Sequence, residues 1–391
     1  MKLLVIGFGQ CGSNIADQFA RINRRARGQR GIEIVTGAFA VNTDLADLSG
    51  LTNIKADYRH RILIGGRKAG GHGVGKINEL GAEIAREDAD KVIDAIRGAP
   101  RFYESDAFLL IAGAAGGTGS GSISIISQAI KERFIDKPLY NIIVLPFEHE
   151  ERTEQRSIYN SAVCLRSASA AADAIFLIDN QRYIRKDATL RNNLSQINTL
   201  IVEPFYNLLC AGEEKKARYV GTKLLDAGDI IQTLSGWTVI GYGKSTLPAF
   251  RLPFRTARSF RDASTETNRG IEAMDEAISE LSFNCDPRDA ARALYLVSAP
   301  TKEMNVTIIK ELGEYLKSLV PEAIIRNGDY PREKGSLEVS VVLSELRNVE
   351  NVKRYYLEAA SVVSTIKKRQ KKIVAKSKEI DEYSKDVPSL L

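Results

Sequence analysis

The sequence is poor in the residues that build metal centres and disulfide frameworks. Its 391 residues include four cysteines and three histidines. The cysteines have no C-x-x-C spacing, which excludes the common structural zinc motifs and is typical of a protein from a reducing compartment. The histidines are scattered along the chain and add no metal site.

Long apolar runs and a strong charge of one sign are also lacking. No stretch approaches the length of a membrane span, and the apolar segment at the N-terminus is too short for a signal peptide. The net charge of +6 arises from 55 basic and 49 acidic residues, an excess too small and diffuse to indicate nucleic acid as a partner. Because 44% of the residues are hydrophobic, we expect a folded protein. The lack of a membrane span and of a signal peptide predicts that it is cytoplasmic.

Strand and helix signals alternate along the first half of the chain. Short apolar runs such as "KLLVIGFG", "HRILIGG", "AFLLIAG" and "AIFLIDN" predict strands, and segments with helical spacing lie between them. This order predicts an α/β domain with a parallel sheet covered on both faces. Residues 194–209 predict a connecting helix that Pro204 kinks or breaks, and the strand and helix signals after it predict a second α/β or α+β domain.

Two glycine-rich stretches in the first domain match known phosphate-binding patterns incompletely. "VIGFGQCGSN" satisfies G-x-G-x-x-G, which by itself favours a Rossmann dinucleotide site, but the acidic Asp44 comes later than that site requires. "GGHGVGK" ends in the G-K of a P-loop, yet Ile77 stands where the magnesium-binding Ser or Thr belongs. A phosphate contact and a merely flexible surface loop both stay open for this second stretch.

A third stretch, "GAAGGTGSGS", follows the strand "AFLLI" directly. Glycine loops thus follow the first, third and fourth predicted strands, and these loops would all lie at one edge of a parallel sheet. Thr118, Ser120 and Ser122 add hydroxyl groups that can bind phosphate oxygens or magnesium. Several such loops at one point favour a nucleoside triphosphate. The alternative is a tight contact between helix and sheet that admits only small residues.

In combination these motifs resemble the tubulin/FtsZ superfamily of GTPases. "GGTGSG" at 116–121 is similar to the signature of the superfamily, "GQCGSN" at 9–14 resembles the first phosphate loop of tubulin, and "VNTD" at 41–44 resembles that of FtsZ. The resemblance covers residues 1–345 by the order of the motifs. Because the chain mixes features of both relatives, it is most similar to CetZ, the archaeal tubulin-like group.

The resemblance implies which residues hold a guanine nucleotide. Glu150 would bind the ribose, with Glu151 as the alternative, and Asn180 and Asn198 would bind the guanine, whose edge suits an amide that donates and accepts. For each asparagine the alternative is an amide at a strand end or on a helix surface. The residues assigned to the phosphates and their border are Gln10, Cys11, Gly12, Ser13, Asn14, Asn42, Thr43, residues 71–74, Gly116, Gly117, Thr118, Gly119 and Ser120.

The resemblance also implies where hydrolysis takes place. "KLLDAGDII" resembles the loop that one subunit inserts over the nucleotide of the next, which makes Asp226 and Asp229 the catalytic carboxylates that orient the attacking water. Leu224 replaces an asparagine that FtsZ has before the first acid, and this departure leaves the rate open. For either aspartate alone, the alternative role is to cap a helix.

The implied protein is a cytoskeletal GTPase that binds GTP or GDP with Mg²⁺ and assembles with itself head to tail, in cell shape or division, with further partner proteins unknown. The alternatives are an NAD-dependent oxidoreductase, which lacks an evident catalytic constellation, and a GTP-binding scaffold with negligible hydrolysis. We expect a GTP-binding domain at 1–193, a connecting helix at 194–220, an assembly domain at 221–345 and a helical tail at 346–391.

The tail is basic, with "KKRQKKIVAKSK" at its centre. We expect surface helices whose apolar stripe packs on the body, and the alternative is contact with a partner or an anionic membrane surface. The residues of the expected stripe are Val362, Val363, Ile366, Ile373, Val374 and Ile380.

Overall fold

The computed structural model of the protein describes residues 1–184, 190–246, 260–304, 306–333 and 335–363. The strands in these residues are β1 (Leu3–Phe8), β2 (Val35–Asn42), β3 (Arg61–Leu63), β4 (Ala107–Gly113), β5 (Leu139–Leu145), β6 (Ala174–Asp179), β7 (Gly236–Ser245), β8 (Ala290–Pro300), β9 (Ile324–Arg332) and β10 (Leu337–Leu346). The helices are α1 (Gly9–Arg30), α2 (Leu45–Ser49), α3 (Asn78–Glu87), α4 (Ala89–Arg97), α5 (Thr118–Arg133), α6 (Glu148–Thr153), α7 (Gln155–Ala171), α8 (Leu190–Ala211), α9 (Ala227–Thr233), α10 (Phe260–Ser279), α11 (Val306–Leu319) and α12 (350–363).

The strands form one mixed sheet in the order β3-β2-β1-β4-β5-β6-β7-β10-β8-β9. From β3 to β7 all neighbours are parallel, which confirms the predicted parallel sheet of the first domain. β10 is antiparallel to β7 and β8, and β9 is parallel to β8. The strands of the second domain therefore continue the sheet of the first.

Both faces of this sheet are buried, which explains the unbroken apolar runs of the sequence. In β4, Phe108 and Leu110 belong to one core cluster, while Leu109 and Ile111 belong to the cluster on the other face. Alternate side chains of a strand point to opposite faces, so a strand covered on both faces is apolar throughout. The loops at the carboxyl ends of the parallel strands remain the open edge of the first domain.

Helix α8 connects the two domains. It runs from Leu190 to Ala211 and continues through Pro204, so the helix does not break at this proline, and the alternative of a kink stays a prediction. Proline cannot bond the carbonyl group four residues earlier, which here belongs to Leu200 on the exposed side of the helix. The helix lacks this one hydrogen bond and still continues to Ala211.

Two further elements differ from the sequence prediction. The segment "NELGAEIAREDADKVIDAI" at 78–96 has helical spacing throughout and predicts one helix, but it forms two, α3 and α4. The Asp88 carboxylate between them accepts a hydrogen bond of 2.6 Å from the Gly65 backbone N–H. Strand β9 was not predicted, because "IIRNGDYPR" contains the Asn, Gly, Asp and Pro that usually form turns.

Only the first part of the tail lies within the described residues. Helix α12 buries Val352, Tyr355 and Ala359 in the core cluster that it shares with α7, and Val362 and Val363 near its end are half-buried. The remaining stripe positions at 366, 373, 374 and 380 and the basic residues at 367–372 lie outside the described residues. Within the described residues, no helix is long and apolar enough to cross a membrane.

Candidate functional site

A cleft of about 500 Å³ lies at the carboxyl ends of the parallel strands, which is a common size for a ligand site. Its walls come from the loops after β1, β2, β3, β4, β5 and β6 and from the start of α8. The residues predicted from the sequence that line it are Gln10, Cys11, Asn14, Asn42, Gly116, Gly117, Thr118, Gly119, Glu150, Asn180 and Asn198. The structure therefore brings most of the predicted binding residues together.

Two predicted residues lie beneath the floor of the cleft. A Cβ atom added to Gly12 would lie 2.1 Å from the carbonyl oxygen of Ile111, so this glycine allows α1 to pack directly on β4. Ser13 is completely buried behind it. Both residues shape the first loop from below and do not line the cleft.

Two other predicted residues hold the loops in place. The Thr43 hydroxyl lies 2.6 Å from the hydroxyl of Thr118, which links the loop after β2 to the start of α5. The Ser120 hydroxyl donates to the backbone carbonyl of Gly116 within its own loop. Thr43 and Ser120 thus position lining residues and do not line the cleft themselves.

The N-termini of two helices meet in the cleft. α1 begins at Gly9 and α5 begins at Thr118, and neither has an acidic residue in its first turn. Gly9 has a φ of +66°, and a Cβ atom there would lie 2.9 Å from the backbone nitrogen of Gly119. Helix N-termini carry free N–H groups and a partial positive charge. Two of them in contact form a site for an anion such as a phosphate chain.

A cluster of oxygen atoms lies beside these helix ends. The Asp47 carboxylate accepts hydrogen bonds from the Gln10 amide at 3.0 Å and from the Asn42 amide at 2.9 Å. Burial raises the pKa of Asp47, and the nearby Asp44 carboxylate adds to the rise while the two amide bonds oppose it. Asp44 and Asp47 both line the cleft, although the sequence prediction did not include them in the site.

The loop from Gly70 to Lys76 borders the cleft through Gly73 and Lys76. Four of its glycines and Lys76 itself have a positive φ, a conformation that costs a side-chain-bearing residue energy. The Lys76 ammonium group forms an ion pair with the Glu154 carboxylate at 2.5 Å. The rejected P-loop pattern thus marks a bordering loop, and its contact with phosphate stays a prediction.

The two neighbouring glutamates of α6 face different surroundings. Glu150 lines the cleft, and its carboxylate accepts a hydrogen bond of 3.1 Å from the Phe147 N–H. Glu151 instead accepts from the Tyr355 hydroxyl and, at 3.1 Å, from the Arg354 guanidinium, both on α12. Of the two alternatives for the ribose, only Glu150 faces the cleft.

The strand order gives the cleft a direction. Asn180 follows β6, Glu150 lies in the helix after β5, Gly116 to Gly119 follow β4 and Gln10 follows β1. Neighbouring strands lie about 4.8 Å apart, so these groups are spread along the sheet edge, with the two predicted guanine-binding residues at one end and Gln10 towards the other. At the base end, Asn198 and Leu194 are one turn apart on α8 and both line the cleft.

The two predicted catalytic acids, Asp226 and Asp229, lie in the segment 223–231, which is called the acidic loop below. Asp226 is the N-cap of α9, and its carboxylate accepts a hydrogen bond of 2.9 Å from the Asp229 N–H. The Asp229 carboxylate forms an ion pair of 2.7 Å with Arg326 of β9. The capping role that sequence reasoning left open thus belongs to Asp226, and neither residue lines the cleft.

Helix α8 separates this loop from the cleft. Asn198 lines the cleft, whereas Gly212, just after the helix, lies so close to Asp226 that an added Cβ atom would be 3.2 Å from its Cα. Fourteen residues of α-helix span about 21 Å. The carboxylates of Asp226 and Asp229 therefore cannot reach the cleft of their own subunit.

Comparisons with known proteins match residues 2–361 of the chain. The GTPase domain of the tubulin/FtsZ family matches residues 2–186, and the C-terminal domain of tubulin-like CetZ proteins matches residues 187–361. Tubulin-like protein CetZ1 of Haloferax volcanii is 33% identical over 369 residues, which cover 90% of each chain.

Two solved structures from the same organism have the same fold. The GDP-bound CetZ1 monomer has a TM-score of 0.79 and 30% identity, and the match covers 93% of this chain and 99% of that chain. The GTPγS-bound CetZ2 protofilament has a TM-score of 0.80 and 26% identity, with 94% and 100% covered.

Proposed function

The chain belongs to the tubulin/FtsZ family of GTPases, in its CetZ subgroup, and from this premise we propose that it assembles head to tail into protofilaments and hydrolyses GTP at each junction between subunits. Family membership confirms the resemblance inferred from the motifs and excludes the oxidoreductase alternative. The observation that carries the proposal is the distance of about 21 Å along α8 between the cleft and the acidic loop. A complete site requires the cleft of one subunit and the loop of another.

We assign the binding of the nucleotide to the residues that line the cleft. Asn180 and Asn198 would bind the guanine, Glu150 the ribose, and the helix N-termini at Gly9 and Thr118 the phosphates. The buried linkage of Thr43 to Thr118 would keep the loops in place when the phosphates enter. These assignments use the loops of six strands, which a bound GTP would hold together.

The oxygen cluster near the phosphates fits Mg²⁺. Magnesium takes hard oxygen ligands and usually binds through one or two carboxylates together with substrate phosphates. Asp44 and Asp47 supply carboxylates, and the amide N–H groups of Gln10 and Asn42 hold the Asp47 carboxylate in place. The described residues contain no cluster of three or more metal-binding side chains, so phosphate oxygens would complete the site. A bound ion would neutralise charge on the phosphates.

In hydrolysis, Asp229 and Asp226 of one subunit would orient a water molecule in the cleft of the next. The water oxygen forms a bond to the γ-phosphorus while the bond from this phosphorus to the bridging oxygen breaks, which yields GDP and inorganic phosphate. The proton of the water passes to a carboxylate and then to solvent. Positioning of the water by a group from a second subunit makes turnover depend on assembly.

A mixture of two inactive variants tests this sharing of the site. Asp226→Ala/Asp229→Ala keeps the cleft and lacks the acids, whereas Gly119→Val displaces the start of α5 in the wall of the cleft, because a Cβ atom there would lie 2.8 Å from the Phe8 carbonyl oxygen. Each variant alone should release little phosphate. In co-assembled filaments some junctions join an intact cleft to an intact loop, so phosphate release should reappear.

Sedimentation must first show that both variants enter the same filaments. If they co-assemble and remain inactive together, the site is not shared in this way. If the wild type forms filaments with GTP and releases no phosphate, the protein is a GTP-binding scaffold without hydrolysis, which is the alternative suggested by Leu224 in place of asparagine. Imaging of the protein with GTP and with GDP tests assembly itself, and a cytoskeletal role in cell shape or division would rest on that result.

A further inference from the structure

Strand β9 and the acidic loop are in direct contact along the edge of the sheet. The Asp329 carboxylate of β9 accepts hydrogen bonds from the backbone N–H groups of Thr222 at 2.9 Å and Lys223 at 2.6 Å. The Asp329 N–H donates in return to the Lys223 carbonyl at 3.1 Å. Asp329 is buried, so these bonds hold the backbone at the start of the acidic loop rigidly in place.

Two glycines allow this close approach. A Cβ atom added to Gly221 would lie 2.0 Å from the Asp329 carbonyl oxygen, and one added to Gly328 would lie 2.7 Å from the Cβ of Leu225. Leu225 itself is fully buried. Two of the residues that are typical of turns in the sequence of β9, Gly328 and Asp329, are thus residues that hold the loop.

Arg326 of the same strand reaches the far end of the loop. Its guanidinium group donates to the Asp229 carboxylate oxygen Oδ1 at 2.7 Å and also to the side-chain oxygen of Gln232 on α9. The Arg326 and Asp229 side chains are 34% and 31% exposed, so a neighbouring subunit can reach them. Among the described residues, the Oδ2 atom of Asp229 has no hydrogen-bond donor and remains available to water.

We propose that Arg326 is a positioning residue for GTP hydrolysis: it fixes Asp229 so that the second carboxylate oxygen meets the attacking water in the neighbouring cleft. This inference rests on the proposed shared site. A half-exposed ion pair contributes little to stability, so stability does not account for a guanidinium that bridges two side chains of α9. The Asp229 carboxylate would act in the cleft of a neighbouring subunit. Its own subunit must therefore fix its orientation before the two subunits meet.

Three arginine variants test the proposal. Arg326→Ala should lower phosphate release per assembled subunit about tenfold, while GDP affinity and the critical concentration stay within about twofold of the wild type. Arg326→Lys keeps the charge but cannot bridge Asp229 and Gln232 with a planar group, so its turnover should be intermediate. Arg347→Ala is the matched control, because Arg347 forms an exposed ion pair of 2.9 Å with Glu322 in the same domain and does not bond to Asp229 or Gln232.

The same change in an Asp229→Asn background separates positioning from a structural role. If Arg326 acts through Asp229, Arg326→Ala should change the residual turnover of that variant by less than about twofold. An equal loss in both backgrounds would mean that Arg326 only supports the fold. A faster Arg326→Ala protein would mean that the ion pair restrains Asp229 and must open before catalysis.

The outcomes also separate this inference from the proposed function. If Asp229→Asn hydrolyses GTP as fast as the wild type, the catalytic role of the loop fails, and the inference fails with it. If Asp229→Asn is slow and Arg326→Ala is normal, the shared site stands and the positioning role alone is wrong. Should Arg326→Ala fail to assemble, Arg326→Lys decides, since wild-type turnover in that variant overturns the proposal.

Discussion

The nucleotide cleft and the acidic loop lie at opposite ends of α8 and are built in different ways. The cleft collects backbone groups and small side chains from the ends of parallel strands, with the helix N-termini at Gly9 and Thr118 at its centre. The acidic loop lies on one edge strand and is held by two charged side chains, Arg326 and Asp329. Both regions exclude an added side chain at particular glycines, Gly9 and Gly119 in the cleft and Gly328 beside the loop. The loop is in addition sensitive to the loss of single charges.

The largest expected effect follows from the loop. Asp229→Asn should lower GTP turnover by about a hundredfold or more, because an amide cannot take the proton of the attacking water. Nucleotide affinity should stay within about twofold, since Asp229 does not line its own cleft. Phosphate release above the critical concentration and binding of a fluorescent GDP measure the two quantities.

Asp286→Asn serves as the control for that substitution. Asp286 also caps a short helix and binds an arginine, Arg288, at 2.7 Å in the second domain. Its loss should leave turnover unchanged. A similar drop in turnover in both variants would show that the loss of activity in Asp229→Asn arises from a folding defect and not from the chemistry of hydrolysis.

The second prediction compares Glu150 and Glu151. Glu150→Ala should weaken GDP binding about tenfold, which is the loss expected for a charged hydrogen bond, and should leave α12 in place. Glu151→Ala should leave binding nearly unchanged but lower the free energy of unfolding by about 2 kcal/mol, because the buried hydroxyl of Tyr355 loses its partner. Nucleotide titration and urea denaturation of both variants measure this; weakened binding in Glu151→Ala alone would reverse the assignment.

The third prediction concerns the base end of the cleft. If Asn180 and Asn198 bind the guanine edge, GTP should bind about tenfold more tightly than ATP, a difference of about 1.4 kcal/mol. Asn198→Ala should reduce this preference, whereas Leu194→Ala, one turn away on α8, should weaken both nucleotides alike. Displacement of a fluorescent GDP from the protein by ATP and by GTP measures this preference. Equal competition by ATP in the wild type would remove both asparagines from recognition.

The residues of the cleft could be predicted from the sequence better than the contacts of the acidic loop. Each glycine stretch directly follows its own apolar strand, so Gln10 and Gly119 could be placed at one sheet edge from local patterns alone. Of the residues missed there, Asp44 ends the quoted "VNTD" motif and could have been found from it. Asp47 has no local pattern of its own and enters the cleft only because α2 begins beside it.

The support of the loop could not be predicted, because it depends on contacts between distant parts of the chain. Arg326 and Asp229 are 97 positions apart, and the strand that carries Arg326 looked like a turn. The choice between Glu150 and Glu151 likewise depended on Tyr355, which is 204 positions from Glu151. Sequence patterns indicate such contacts only when both partners belong to one element.

The smallest expected effect separates the two roles of Asp226, which caps α9 and is also a proposed catalytic acid. Asp226→Ala removes the cap and the charge, so it should lower the stability of the protein by about 1 kcal/mol as well as turnover. Asp226→Ser keeps an oxygen that can accept the hydrogen bond of the Asp229 N–H, so its stability should stay within a few tenths of a kcal/mol of the wild type.

Turnover in the serine variant then isolates the charge. If the carboxylate itself helps to orient water across the junction, Asp226→Ser should be as slow as Asp226→Ala in spite of its normal stability. If Asp226 only holds α9 so that Asp229 is presented correctly, the serine variant should keep most of its turnover while the alanine variant loses it. Urea denaturation and phosphate release on the same two proteins distinguish these results, and the second result would leave Asp229 as the single acid that the loop contributes.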